Sequence, residues 1–405
     1  MDSATSTHPG VQAQLDRLQM VSPAGDRLGL ERIAAMLDRL GRPQDRLPPV
    51  FHVAGTNGKG STIAMLRAAL EGAGLTVHAF TSPHLVRFNE RIRVAGVLID
   101  DDALEALLVE ILDVSSDLQP SFFEVATAAA ILAFARTPAD SCLLEVGLGG
   151  RLDATNVIDR PLVCGIASIG LDHQQYLGTT IDKIATEKAA IAKPGVPLIA
   201  LAQPAVAEKA IIAAAEAAGA ELRLEGCDWT LDRALIPALP GAHQIRNANL
   251  AWQMLAAQDH FAIADNDFVA SLKRVHWPAR LQRLGDGPLT GGVETWIDGA
   301  HNDNAAEALA DWLEGAGPMH LILGMLANKD AGEIVGLLRP HALSLTFVPV
   351  PDHDHHAPTE LARRFGGQAA AGLENALDAL PAPRLIAGSL YLAGAALAAN
   401  GELPD

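Results

Sequence analysis

Val53-Ala54-Gly55-Thr56-Asn57-Gly58-Lys59-Gly60-Ser61-Thr62 follows a short apolar run, Val50-Phe51-His52-Val53, and precedes a helical pattern, Ile63-Ala64-Met65-Leu66-Arg67-Ala68-Ala69-Leu70. Strand, Gly-rich turn, lysine, hydroxyl residues and helix is the order a phosphate cradle requires. The glycines let backbone N–H groups close around phosphate oxygens, and the helix N-terminus adds its partial positive charge. Lys59 is placed to reach the β- and γ-phosphates, with Ser61 or Thr62 facing them or a metal. The match to G-x-x-x-x-G-K-[ST] is imperfect, because Val53 stands where its first glycine belongs and Gly60 where its hydroxyl belongs. The bland alternative is a Gly-rich strand-to-helix turn with a solvated lysine. The reading adopted is an ATP site.

Outward from this loop, Gly72-Ala73-Gly74 ends the helix, and Thr76 to Thr81 reads as a second strand stopping at Ser82-Pro83-His84-Leu85. A strand, helix and strand so closely joined form a right-handed unit. Ser82 therefore falls at the carboxyl edge that carries the phosphate loop, where open α/β sheets bind ligands. Two further strand ends are expected there. Ser141 to Val146 is an apolar run with Glu145 near its end, a Walker-B-like arrangement for Mg2+; Leu162 to Ile169 ends near Asp172-His173. Alone, Glu145 reads equally as a solvated strand end and His173 as a hydrogen-bonded core histidine. Three such residues at three strand ends beside a phosphate loop favour a metal site.

The rest of the chain supplies the organisation. Residues 1–10 read as a disordered lead, Val11 to Met20 and Leu30 to Leu40 as helices, and Asp26 to Leu30 as the turn between them. Ile181 to Ala192 is a helix containing Glu187-Lys188, a neighbour pair that is by itself usually a solvated face. After His276-Trp277-Pro278-Ala279-Arg280 a second α/β alternation begins, with a strand over Val293 to Ile297 ending in Asp298-Gly299-Ala300-His301-Asn302. The expected class is α/β: a P-loop, mostly parallel sheet domain over residues 1–276, a linker over 277–284, and a smaller Rossmann-like α/β domain over 285–405. The run Asp352-His353-Asp354-His355-His356 is dense enough to suggest a metal, but consecutive residues between prolines build fixed ligand geometry poorly. A solvated loop is expected.

Composition narrows the class. A net charge of -18 over 405 residues argues against a general nucleic-acid or anionic-membrane surface. An anionic substrate must then be held by locally placed Lys, Arg and backbone donors. Cys142 and Cys164 lie in apolar runs and read as reduced core thiols, with Cys227 left over. The polar N-terminus lacks an apolar signal core, and no apolar stretch is long enough to span a bilayer. A soluble, cytoplasmic, monomeric protein is expected, with small-molecule partners.

Gly55 to Ser61, Thr81-Ser82-Pro83-His84-Leu85, Glu145 to Asn156, Thr186-Glu187-Lys188-Ala189 and Asp298 to Asn302 occur in this order. Together they resemble the folylpolyglutamate synthase/dihydrofolate synthase family of the Mur-ligase superfamily. The resemblance covers nearly the whole chain, from about Leu28 to Leu392. The P-loop form alone indicates only the superfamily; Glu145 to Asn156 with Leu28-Gly29-Leu30-Glu31-Arg32 is far more specific. The resemblance implies an ATP-dependent, ADP-forming amide ligase that adds L-glutamate to dihydropteroate and to folates. Carried over by residue, it implies that Asn57 to Gly60 hold the ATP phosphates and that Ser82, Glu145 and His173 are Mg2+ ligands. Lys188 matches a lysine carbamylated in the family. Asn247, Arg280, Asp298 and His301 match residues that close over the nucleotide. Leu28 to Leu30, Ser121-Phe122-Phe123-Glu124 and Leu152-Asp153-Ala154 match segments lining the pterin pocket. Cys227 to Gly241 is short for a segment that usually adds a small sheet, and the Asp352–His356 run is not part of the pattern.

Two rivals remain open to the sequence. A Mur-type peptidoglycan ligase shares the chemistry but usually carries an extra N-terminal domain, for which a phosphate loop beginning near residue 55 leaves no room. A nucleotide-gated binding module without ligase turnover would tolerate loss of the metal candidates or of Asp298 and His301, all of which are present.

Overall fold

A computed structural model describes residues 4–22, 28–378 and 380–404. The turn expected over Asp26 and Arg27 lies outside the described residues. The chain divides into two compact units: the chain up to Pro237 with Ile245–Val275, and Ala238–Gln244 with His276–Pro404.

The first unit is built on β1 (Val50–Ala54), β2 (Val77–Phe80), β3 (Ile92–Val94), β4 (Val97–Leu98), β5 (Ser141–Glu145), β6 (Val163–Ile166), β7 (Pro197–Ala200) and β8 (Glu221–Leu224). They form one sheet in the order β4-β3-β2-β5-β1-β6-β7-β8. The strands from β2 across to β8 are parallel, and β3 and β4 run antiparallel at one edge. Every residue of β1 is buried, as befits a central strand of a sheet covered on both faces. The sequence reading passed over the β3–β4 hairpin, which turns at Ala95 and Gly96 with φ 49° and 87°, the positive pair of a type I′ turn.

Helix Lys59–Gly72 leaves the end of β1 and packs against helix Asp265–Leu272 and strands β1, β2 and β5. On the other side of the sheet, Val50, Phe80, Cys142 and Leu144 share an apolar core with helices Pro9–Val21, Glu31–Arg39, Asp101–Ser115 and Phe122–Arg136. The first of these helices begins at Pro9, inside the expected disordered lead: His8 caps it, with Nδ1 accepting from Val11 N–H at 3.4 Å. Helix Phe122–Arg136 is buried along most of its length, and its Ala-rich sequence lets neighbouring elements approach closely. Ser121 and Glu124 cap it reciprocally: Glu124 N–H donates to Ser121 Oγ at 3.2 Å and Ser121 N–H to Glu124 Oε2 at 2.7 Å.

The second unit has its own sheet and core. Its strands are β9 (Gln282–Arg283), β10 (Thr295–Ile297), β11 (Met319–Leu323), β12 (Ala342–Phe347), β13 (Gln368–Ala369) and β14 (Arg384–Ala387). The order is β13-β12-β11-β14-β10-β9, parallel except for β9. Residues 277–284, expected as a linker, thus contribute an edge strand to this sheet. Between β8 and helix Ala242–Ala256 the short segment forms a single bridge, Glu225 to Trp229.

Candidate active site

The sheet order places the ends of β2, β5, β1 and β6 side by side, so Ser82, Glu145, the phosphate loop and the 168–173 segment share one edge. Register makes this concrete: Val53 pairs with Glu145 on one side and Gly165 on the other. The loop is pinned to the segment after β6. Thr56 and Asn57 N–H donate to Ser168 O at 2.7 and 3.2 Å, and Thr56 Oγ1 donates to Gly170 O while accepting Gly170 N–H, both at 3.0 Å.

These bonds define what is left for a ligand. The first bond of the helical ladder is Thr62 N–H to Gly58 O, so the N–H groups of Lys59, Gly60 and Ser61 precede the ladder. Thr62 Oγ1 donates to the same Gly58 oxygen at 2.9 Å, which leaves Ser61 as the hydroxyl of the pair for a ligand. Gly58 has φ 89°, and a side chain there would collide with the buried Asn247. The site therefore requires glycine on both counts.

Lys59 Nζ donates to Gly55 O and Thr56 O, each at 3.2 Å, and lies 4.0 Å from Glu145 Oε1. Glu145 Oε2 accepts Ser82 N–H at 3.2 Å, which brings the ends of β2 and β5 together. Glu145 is only 4% exposed. Lys188, expected from its neighbours to read as surface, is also only 4% exposed, and its Nζ donates to Gly55 O at 2.9 Å. Burial first, then the charge of Lys59, lowers its pKa to about 7, against the opposing pull of Asp172 and Asp153. His173 is exposed, with φ 50°, at the start of helix Gln174–Leu177; its N–H is held by Asp172 Oδ1 at 2.8 Å.

The three expected acceptor segments are also joined. Arg32, two residues after Leu30, donates through Nε to Glu124 Oε2 at 3.1 Å and lies 3.1 Å from Oε1 through Nη2. This ties Leu28 to Leu30 to the start of helix Phe122–Arg136. Phe123 packs 5.8 Å from the Phe80 ring and Phe122 5.5 Å from the Phe88 ring. Asp153 is buried: its Oδ2 accepts Gly147 and Leu148 N–H at 3.0 and 2.8 Å, and its Oδ1 accepts Thr155 N–H and the Thr155 hydroxyl. Burial raises the Asp153 pKa, and these bonds oppose the rise. The carboxylate therefore shapes the turn that carries Leu152 and Ala154.

Asn247 lies in the first unit beside Gly58; Arg280, Asp298 and His301 lie together in the second. Asp298 accepts Leu281 and Ala300 N–H, each at 2.8 Å, and His301 Nδ1 bonds Gly299 O at 2.8 Å. Arg280 is flanked by Ala279 and Leu281 at φ 54° and 46°. A strained conformation at two non-glycine residues costs of order 1–3 kcal/mol each and clusters at functional sites.

The Asp352–His356 run is a latch. His355 Nδ1 bonds His353 O at 2.7 Å, His356 Nε2 bonds Lys329 O at 2.8 Å, and the His353 ring stacks on Tyr391 at 3.8 Å. Among the described residues no group of three or more His, Cys, Asp or Glu is gathered to hold a metal.

Two features escaped the sequence reading. Glu90 accepts the N–H groups of Leu85, Val86 and Arg87 at 2.7, 2.9 and 2.6 Å, folding the loop after Ser82 around one carboxylate. His52, inside the apolar β1, bonds Thr155 Oγ1 at 2.8 Å. A polar residue at the centre of a buried strand was the available signal for the second; the first had none without coordinates.

Fold and site together define a P-loop α/β protein built for phosphate chemistry at a parallel-sheet edge. No protein-family model matches the chain. It is 38% identical to the dihydrofolate synthase/folylpolyglutamate synthase of Bacillus subtilis over 72% of this chain and 73% of the relative. It is 33% identical to the folylpolyglutamate synthase of Lacticaseibacillus casei over 90% and 92%. Escherichia coli FolC in complex with DHPP and ADP superposes with TM-score 0.86 at 29% identity, covering 98% of both chains. The bifunctional enzyme of Yersinia pestis complexed with AMPPNP and Mn ion superposes with TM-score 0.86 at 28% identity, covering 98% and 99%. The chain belongs to the dihydrofolate synthase/folylpolyglutamate synthase family.

Proposed function

We infer that the protein is an ATP-dependent ligase that joins L-glutamate in amide linkage to dihydropteroate and to folates, releasing ADP and phosphate. The observation that carries this reading is the convergence of Lys59 and buried Lys188 on Gly55 O, beside Glu145 and a free helix N-terminus. The names and bound nucleotides of the relatives support the same chemistry over a peptidoglycan ligase or a binding module.

A carboxylate resists amines because its oxygen is a poor leaving group. Transfer of the γ-phosphoryl group to the acceptor carboxylate gives an acyl phosphate and ADP. The α-amine of glutamate then attacks the acyl carbon, phosphate departs with the C–O bond, and the amine loses a proton. Lys59 and the N–H groups of Lys59 to Ser61 hold the phosphates, a preorganised set that needs no reorientation as charge shifts. Glu145 and Ser82, joined at the edge, offer the hard oxygen donors that Mg2+ takes, with His173 as the third proposed ligand. Mg2+ when bound supplies neutralisation of the phosphate charge. Lys188 is proposed to act as its carbamate. Asn247, Arg280, Asp298 and His301 are assigned to the nucleotide, and Leu28 to Leu30, Ser121 to Glu124 and Leu152 to Ala154 to the acceptor.

A monomer in the cytoplasm is the proposed form; no described helix is long and apolar enough to cross a membrane, and the three cysteines are free. The test measures ADP release from ATP and Mg2+ with dihydropteroate, tetrahydrofolate or glutamate omitted in turn. Release that needs both an acceptor and glutamate is expected. Release indifferent to glutamate would overturn the ligase reading.

A further inference from the structure

His52 lies on the strand that runs into the phosphate loop, fully buried, where an aliphatic residue would suit a strand covered on both faces. Its Nε2 is 2.8 Å from Thr155 Oγ1, and Thr155 in turn meets Asp153 Oδ1 through both its hydroxyl and its N–H. Asp153 Oδ2 takes the N–H groups of Gly147 and Leu148. Three backbone N–H groups converge on this carboxyl group, as suits a carboxylate, which accepts only. The one hydroxyl proton of Thr155 is therefore given to Asp153, and His52 donates through Nε2–H to Thr155. Nδ1 is left as a bare acceptor with no partner in the core. Burial, with the charge of Lys193 adding to it, lowers the His52 pKa to about 3 and keeps the ring neutral.

We propose that His52 is a positioning residue for the acceptor substrate: through Thr155 it orients Asp153, and so sets the 147–155 turn against the strand that carries the phosphate loop. The proposal rests on the assignment of Leu152 to Ala154 to the acceptor. It separates the two halves of the site. The phosphate loop has its own anchors at Ser168 and Gly170; the relay from His52 ends on the turn. Loss of the relay loosens the acceptor side and spares the ATP side.

Steady-state kinetics with dihydropteroate and ATP varied in turn test this on His52→Leu, His52→Gln, Thr155→Val and Thr155→Ser. Glutamine keeps a side-chain N–H donor and serine keeps the hydroxyl. His52→Leu and Thr155→Val are expected to raise the dihydropteroate KM about tenfold, the effect of one buried hydrogen bond, with the ATP KM within about twofold. The Gln and Ser variants stay within about threefold of the parent. The double variant His52→Leu/Thr155→Val is no worse than the worse single, because both cut one chain. An unchanged dihydropteroate KM in Thr155→Val, equal rises in both KM values, or no rescue by Gln and Ser overturns the proposal. If His52→Leu does not fold, the isosteric Thr155→Val and the hydroxyl-keeping Thr155→Ser decide by the same criteria. Parent protein whose ADP release ignores dihydropteroate overturns the acceptor reading and this proposal with it. Parent dependence with indifferent variants overturns the proposal alone.

Discussion

Lys59 and Lys188 donate to one carbonyl oxygen, that of Gly55, at 3.2 and 2.9 Å. Burial of the Lys188 amine, and after it the charge of Lys59 beside it, lowers the Lys188 pKa to about 7. A neutral amine at neutral pH is the form that adds CO2 to become a carbamate. Lys188→Ala is expected to lose most ADP-forming activity, and formate or acetate to restore part of it by filling the vacated anionic position. Since the neutral fraction grows as pH rises through about 7, activation by CO2 should increase from about pH 6 to about pH 8. Full activity of Lys188→Ala in CO2-depleted buffer would defeat the carbamate. The same lowering affects stability. Between about 7 and the ordinary lysine value the unfolded chain holds a proton that the folded protein has released, so this group's contribution rises with pH across that window.

Lys59→Ala should abolish turnover and leave the fold intact. Its partners are the carbonyls of its own loop and Glu145 at the limit of an ion pair, so little native packing is lost. Because the buried Glu145 carboxylate loses this neighbour, the variant should lose up to about 3 kcal/mol of unfolding free energy and still fold. Near-parent ADP formation would remove the phosphate-cradle assignment of the loop.

Glu145→Gln keeps an oxygen for Ser82 N–H and removes the charge. The Mg2+ concentration for half-maximal activity should rise at least about tenfold, more than the thermal midpoint would lead one to expect. A variant that titrates with Mg2+ like the parent means that the Glu145 carboxylate is not a ligand.

The phosphate loop, Ser82 and Glu145 were readable because each stands at a strand end, and parallel topology sends all strand ends to one edge. Lys188 was not readable from its neighbours. Glu187 beside it is the partner of Arg151, 3.0 Å away, and gives the pair the look of a solvated face, while one residue further the helix turns its lysine inward. Asp153 could be placed near the acceptor by resemblance, but its bonds to Gly147, Leu148 and Thr155 depend on how the turn folds back. The histidine run reads as a solvated loop in spite of its density of ligands, since sequence does not report their direction; His355 and His356 each bond a backbone carbonyl. Residues 277–284 read as a linker because a two-residue edge strand has too little periodicity to be seen.

His52 also predicts an acid limit to stability. The unfolded chain takes up a proton near the ordinary histidine value, whereas the buried ring does so only at about 3. Stability contributed by the neutral buried ring is therefore lost progressively as pH falls from about 6.5 toward about 3. His52→Gln has no such proton to gain, so its thermal midpoint should fall less steeply than the parent's over that range. Parallel curves for the two proteins would mean that His52 titrates normally in the folded state.

Gly150→Ala tests the mechanical link between the 147–155 turn and the helix that carries Lys188. A Cβ at residue 150 would lie 2.6 Å from Glu187 O and 2.8 Å from Lys188 O, both backbone atoms that cannot swing aside as a side-chain tip can. The turn and the helix are bound at the same place, since Arg151 N–H donates to Glu187 O at 2.9 Å and Asn156 Nδ2 to Ala190 O at 3.4 Å. The added methyl group must push the helix away and move Lys188 relative to Gly55 O, while the phosphate loop keeps its separate anchors at Ser168 and Gly170. Overpacking of this kind costs about 1–3 kcal/mol of stability. A displacement near 1 Å at a catalytic group costs up to about 100-fold in rate. Calorimetric binding of a non-hydrolysable ATP analogue should stay within about twofold of the parent while ADP formation falls at least about tenfold. Gly315→Ala, where the new methyl group meets open space, serves as the control and should match the parent in both measurements. Parent-like turnover in Gly150→Ala would mean that the position of Lys188 is not set by this contact.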